Sequence, residues 1–163
     1  MAGRQSAGLL LDRGGGTALE VLLVHPGGPF WRGKDLGAWS IPKGEFETGE
    51  DPLEAARREF REETGATPSG EFIRLEPIRQ RSGKLVSAWA VQGDWDPREL
   101  HSNRFSLEWP PRSGIQAEFP EVDRAEWFEL PDARRKLLPA QLPLLDQLED
   151  LLRSRGSGGG EPL

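Results

Sequence analysis

The stretch GEFETGEDPLEAARREFREETGA, residues 44–66, decides the fold of this chain. Its second half predicts a helix over Asp51–Gly65. Asp51 suits the N-cap, Pro52 the first helical position, and Glu54 completes a capping-box pattern. Gly65 stands where a left-handed residue stops a helix. At 100° per residue, Leu53, Ala56, Phe60 and Thr64 share one apolar face, which should pack on a sheet. Glu59, Glu62 and Glu63 form the adjoining stripe at spacing i, i+3, i+4. A run of acids usually means a solvated helix face. Here the stripe borders the apolar face, and a Gly/Lys loop (Ile41-Pro42-Lys43-Gly44) feeds the helix. Carboxylates so placed repel one another and lose hydration unless a cation offsets them. Hard oxygen donors suit Mg²⁺ or Mn²⁺ rather than zinc, and Mg²⁺ commonly takes one or two carboxylates together with substrate phosphates. A phosphate so held is open to attack by a water that a further carboxylate activates.

Outward from this helix the chain alternates apolar and turn-forming segments. Ala7–Asp12 and Ala18–His25 read as a β-hairpin around Arg13-Gly14-Gly15-Gly16. Pro26–Leu36 is a Gly/Pro loop carrying aromatics and cations, Ala38–Pro42 a short strand end, and Lys43–Glu50 another loop. Glu71–Gln80 and Leu85–Gln92 read as a second strand pair, Asp94–Ser102 as a loop or short helix, Phe105–Trp109 and Ala125–Glu129 as strands. Leu137–Arg153 places leucines at helical spacing and either caps the sheet or joins two copies. Strands on both sides of a central helix, then a last helix, predict an α+β chain layered α/β/α. Residues 1–155 are expected to form one domain and 156–163, rich in Gly and Ser, a disordered tail.

The chain has 163 residues and a net charge of −6, a balance that argues against a nucleic-acid or anionic-membrane binder. Residues 44–66 hold eight acids and three bases, so most of that charge is one helix and the loop before it. The absence of Cys excludes disulfides, thiolate nucleophiles and Cys-ligated zinc. Apolar runs are far short of a bilayer span or a signal-peptide core, so a soluble cytoplasmic protein is the expectation.

Gly44, Glu50, Arg58, Glu59, Glu62, Glu63 and Gly65 occupy all seven fixed positions of G-x5-E-x7-R-E-U-x-E-E-x-G-U, with Phe60 at the first apolar position and Ala66 at the second. This resembles the Nudix box. The stretches Trp39–Gly44 and Glu126–Phe128 are also similar to the family. The resemblance implies an α/β/α sandwich with a mixed central sheet. It implies hydrolysis of a nucleoside diphosphate linked to another group, and divalent metal held by Glu59, Glu62, Glu63 and the Gly44 carbonyl. Glu50 and Arg58 would be an ion pair fixing the loop against the helix; as an ordinary surface pair they would contribute only about 0–1 kcal/mol.

The resemblance implies that the base for the attacking water is a box glutamate, here Glu62, or a glutamate from a later loop, Glu118 or Glu121; either later residue is otherwise a solvated loop carboxylate. Cations beside the box should hold the non-metal phosphates: Arg32, Lys34 and Lys43, with Arg79 and Arg81 from the second strand pair. Trp31, Phe30, Trp89 and Trp109 are candidates to stack on a base, although a Trp in a strand is more often core. His25 and His101 have no metal-site spacing and read as structural or solvated.

The stretches His25–Pro42 and Phe105–Gly114 look like a bacterial branch of predicted nucleoside triphosphate pyrophosphohydrolases. A small nucleotide or polyphosphate is therefore the expected partner, with the chain a monomer or homodimer. The chain lacks the Tyr seen in diadenosine polyphosphate hydrolases, and has Gln80 where ADP-ribose pyrophosphatases often carry Pro. Those two hydrolase classes stand as alternatives, as does a non-catalytic sensor that binds a nucleotide.

Overall fold

The computed structural model describes residues 5–14 and 18–159, with side chains to residue 155. The centre of the molecule is β1 (Gln5–Arg13), whose interior residues are all buried. A strand covered on both faces needs a continuous apolar run, and Ala7–Leu11 supplies it. β1 turns back into β2 (Glu20–Pro26), with Asp12 opposite Val21 and Arg13 opposite Glu20, as the hairpin reading expects. Part of the glycine turn, residues 15–17, lies outside the described residues.

The main sheet is mixed. β6 (Leu85–Gln92) runs parallel to β1 over eight pairs, from Gln5↔Leu85 to Asp12↔Gln92. All other pairings are antiparallel: β2 with β9 (Val122–Glu129), and β4 (Ile73–Arg74) and β5 (Ile78–Arg79) with β6. β4 and β5 are the two ends of the expected strand Glu71–Gln80, interrupted around Pro77, which has no N–H to give the ladder. Lys43–Glu45, expected as loop, is instead β3, paired with β1 at Ser6, Ala7 and Gly8. Three residues are too few to show a two-residue alternation. A second, two-stranded sheet joins β7 (Arg104–Glu108) to β8 (Gln116–Pro120); β8 had read as loop.

Side-chain alternation splits the core in two. Ala7, Leu9, Leu11, Leu22 and Val24 face Ala55, Ala56 and Phe60 of α1 (Pro52–Thr64). Leu10, Val21, Leu23, Val86, Ala88 and Ala90 face Leu144, Leu145 and Leu148 of α3 (Leu142–Gly159), with Ala133 of α2 (Leu130–Lys136). The layering is α/β/α, and the terminal helix caps the sheet. Each buried leucine contributes on the order of 1.5–3 kcal/mol. α2 was not foreseen because it is a short, mostly charged segment. The terminal helix begins later than the leucine spacing indicates: Leu137 bridges to Trp39 and Pro139–Gln141 is a 3-10 turn. The Gly/Ser segment from 156 includes the last residues of α3, and residues 160–163 lie outside the described residues. No helix among the described residues is long and apolar enough to cross a membrane.

Candidate active site

The helix that carries the acids is fixed at both ends as its sequence dictates. The Asp51 carboxylate accepts from the Glu54 N–H at 3.0 Å. Gly65 takes φ +85° and donates its N–H to the Arg61 carbonyl. Ala55, Ala56, Phe60 and Thr64 are buried against the sheet, so Glu59 and Glu63 emerge at the edge of β3. There the Lys43 N–H donates to Glu63 Oε1 at 3.3 Å. Gly44 is placed where a side chain has no room: a β-carbon there would lie 1.8 Å from Glu59 Oε1 and 2.2 Å from its Cδ. The glycine of the sequence pattern is thus the hole into which the Glu59 carboxylate fits.

Arg58 organises the acids. Its guanidinium pairs with Glu50, donates to Glu59 Oε2 at 2.9 Å, and lies 3.7 Å from Glu62 Oε2. The expected Glu50–Arg58 pair is present, and Arg58 also engages two of the helix carboxylates themselves.

A chain of backbone bonds brings one distant acid to this edge. Asn103 N–H donates to the Glu62 carbonyl at 2.8 Å, and Glu121 N–H donates to the Asn103 carbonyl at 2.8 Å. Glu121, between β8 and β9, therefore lines one open groove with Ser6, Lys43, Gly44, Glu45, Glu59, Glu63, Lys84 and Phe105. The electrostatics record the crowding. Burial pushes the Glu63 carboxyl up to about 8, with Lys43 opposing and Glu121 and Glu59 adding to the rise. Burial and then the charges of Glu59 and Glu62 raise Glu121; burial, with Glu62 adding, raises Glu59 against the pull of Arg58. Burial lowers the Lys43 ammonium and Glu63 supports its charge.

Not every expected residue reaches the groove. Glu118 lies on β8 with its side chain 67% exposed, 3.5 Å from Arg104 across the hairpin. Glu62 does not line the groove, and its carboxylate faces Arg58. Trp89 is 6% exposed and packs in the α1-side core beneath Arg74, so it presents no face to a base; it is an inward residue of a central strand. Trp31 packs against the α3-side core with Lys34 beside its ring, Arg32 is exposed, and Arg79 donates to the Gly83 carbonyl. Of the expected cations only Lys43 lines the groove. Lys84, Phe105 and Ser6 were missed, because each is brought there by strand pairing and none stands in a local pattern. His25 is structural as expected, held between Asp123 at 2.8 Å and the Lys34 carbonyl at 2.6 Å.

The NUDIX domain pattern matches residues 3–148. The chain belongs to the NUDIX family. Every charged position of the Nudix box is present in it. It is 29% identical over 133 residues to an octanoyltransferase of Myxococcus xanthus, a match covering 82% of this chain but only 33% of that protein. It is 27% identical over 127 residues to an RNA pyrophosphohydrolase of Roseobacter denitrificans, covering 66% of this chain and 70% of that one. The NUDIX domain of Shewanella oneidensis NrtR, solved in complex with ADP ribose, superposes with a TM-score of 0.65 at 19% identity over 93% of this chain and 90% of that one. That likeness is one of fold.

Nudix proteins generally use divalent metal, and the donors here fit one chemically: carboxylates crowded into partial burial, their charge opposed by desolvation. The side chains as they stand do not close round an ion, since among the described residues no three acids or histidines converge on one point. Arg58 holds Glu59 and Glu62, and the Lys43 N–H holds Glu63. Loading therefore requires these carboxylates to turn away from those donors.

Proposed function

We propose that this Nudix protein hydrolyses a pyrophosphate bond in a nucleoside triphosphate or other nucleoside-diphosphate-linked compound, by water attack on phosphorus, with Mg²⁺ or Mn²⁺ as its ion. The observation that carries this reading is the open groove that Glu59, Glu63 and Glu121 line together with Lys43 and Lys84. Glu59, Glu62, Glu63 and the Gly44 carbonyl are the metal ligands of this reading. The bound ion would neutralise phosphate charge and polarise the phosphorus centre. Glu121 is the general base: it alone of the three candidates lines the groove, and burial with the charges of Glu59 and Glu62 raises its affinity for a proton. Lys43 orients the phosphate chain. A net charge of −6 favours a small nucleotide over a long RNA chain, and zero Cys accords with a cytoplasmic site of action.

The test is a panel of nucleoside triphosphates, dinucleoside polyphosphates, ADP-ribose and 5′-triphosphorylated RNA, with Mg²⁺ and product identification. Glu62→Gln and Glu63→Gln are each expected to remove most turnover, and Glu121→Gln to lower kcat roughly 10²–10⁴-fold. Near-normal kcat in both helix variants refutes the site. Absence of turnover on the whole panel, with ligand-dependent thermal stabilisation, assigns a sensor instead.

A further inference from the structure

Ser6 is 1% exposed, and its Oγ is the one buried side-chain polar atom among the described residues without a hydrogen-bond partner. A buried hydroxyl left unpaired is costly, and native structures seldom retain one without a reason. Ser6 belongs to the groove of Glu59, Glu63 and Glu121, on β1, directly between β3 and β6. Its cross-strand partners are Glu45 on one side and Val86 on the other. Lys84 stands two residues before Val86, so it falls on the same face. The Lys84 ammonium meets Glu45 Oε2 at 2.7 Å. That ion pair therefore links the residue before β6 to β3, on the face of β1 that carries the Ser6 side chain.

We propose that Ser6 Oγ and the Lys84 ammonium form an anion subsite for an oxygen of the substrate's phosphate chain, a place the Glu45 carboxylate now takes. The donors specify the ligand class. A hydroxyl and an ammonium, with Lys43 lining the same groove, offer protons and positive charge, which exclude a metal ion and select anionic oxygen. Glu45 demonstrates that Lys84 accepts a carboxylate at that position. A polyphosphate presents more charge than one carboxylate and reaches the Ser6 hydroxyl as Glu45 swings out. This subsite rests on the hydrolase reading for its substrate, but its binding test does not require turnover.

The probe is inorganic tripolyphosphate, titrated calorimetrically in EDTA so that no metal contributes, with adenosine as the second arm. Ser6→Ala is expected to weaken tripolyphosphate binding roughly 10- to 100-fold, as for loss of a hydrogen bond to a charged group, while its Tm equals or exceeds that of the parent. A residue that merely packed would not combine weaker binding with equal or greater stability. Lys84→Met should lose binding comparably, and Lys84→Arg should recover most of it. Unchanged tripolyphosphate affinity in Ser6→Ala and Lys84→Met overturns the subsite. So does loss of adenosine binding with tripolyphosphate binding intact, which would place a nucleoside there. Ser6-dependent tripolyphosphate binding in a protein that turns over nothing in the substrate panel keeps the subsite and rejects the hydrolase reading.

Discussion

Gly44→Ala is a one-carbon change whose consequence follows from distances. The added carbon would sit 1.8 Å from Glu59 Oε1, and real contacts of this kind do not fall under 3.0 Å, so the carboxylate must retreat by about 1.2 Å. The atom met is the far end of a flexible side chain, so the fold absorbs the change. The cost is the Glu59 position and its 2.9 Å bond from Arg58. Gly→Ala in an extended segment returns roughly 0.5–1 kcal/mol of backbone entropy, which offsets much of that loss. The net stability change is expected within about 1 kcal/mol. Activity should fall far more, since misplacing a reacting group by about 1 Å can cost on the order of 10²-fold. Steady-state phosphate or pyrophosphate release gives kcat/KM, and urea unfolding gives stability. Gly49→Ala is the contrast. Gly49 has φ +95° and nothing within 4 Å of its added carbon, so Ala there is strained without touching an acid. It should lose stability and keep its kcat. If Gly44→Ala keeps kcat/KM within threefold of the parent, the claim that Gly44 exists to seat Glu59 is wrong.

Two further outcomes test other parts of the structure. Asp12, buried on the α3 side of β1, has its carboxyl pushed from 3.8 up to about 6 by burial, with Arg155 opposing. The folded protein holds a proton there that the unfolded chain has released, so stability from this group falls as pH rises from 3.8 to 6 and stays lower above. Asp12→Asn removes that loss and should exceed the parent by at most about 3 kcal/mol above pH 6. Urea midpoints of both proteins at pH 4.5 and 7.5 measure it, and a difference that does not grow with pH refutes it. Gly65→Ala puts a side chain on a residue at φ +85° with its β-carbon 3.1 Å from that of His101. It should destabilise by roughly 1–2 kcal/mol in a urea titration, and a neutral result would contradict the cap geometry.

What was legible in the sequence divides along the range of the forces involved. Asp51, Pro52 and Gly65 act within one turn of their own helix, so α1 was bounded almost to the residue. β1 and β2 announce themselves by continuous apolar runs joined by glycines. β3 and β8 are polar and short, and exist because a neighbouring strand supplies hydrogen bonds: Ser6–Gly8 for β3, and Arg104–Glu108 for β8. Nothing in Lys43-Gly44-Glu45 taken alone prefers a strand. Trp89 shows the converse error. Its ring chemistry suits base stacking, but the parity of its position on β6, beside Leu9 of β1, turns it into the core.

The same reasoning explains why the acids that line the groove were legible in the sequence, whereas of its cations only Lys43 was. Glu59 and Glu63 must share one face of one helix, so their spacing is written in consecutive residues. Phosphate-holding cations need only reach the groove from any direction, and the sheet brings Lys84 there from the residue before β6 and Lys43 from β3. Arg32 and Arg79 were as plausible by composition, yet neither reaches the groove. The net charge of the chain hides this arrangement. Most of the negative charge sits in residues 44–66, and Arg58 and Lys84 each bind acids of that segment. An acidic protein can hold a polyphosphate only where its own carboxylates have first been drawn aside. On this reading the ion pairs of Arg58 and Lys84 hold the acids of the site in place and are the contacts that substrate and metal must rearrange.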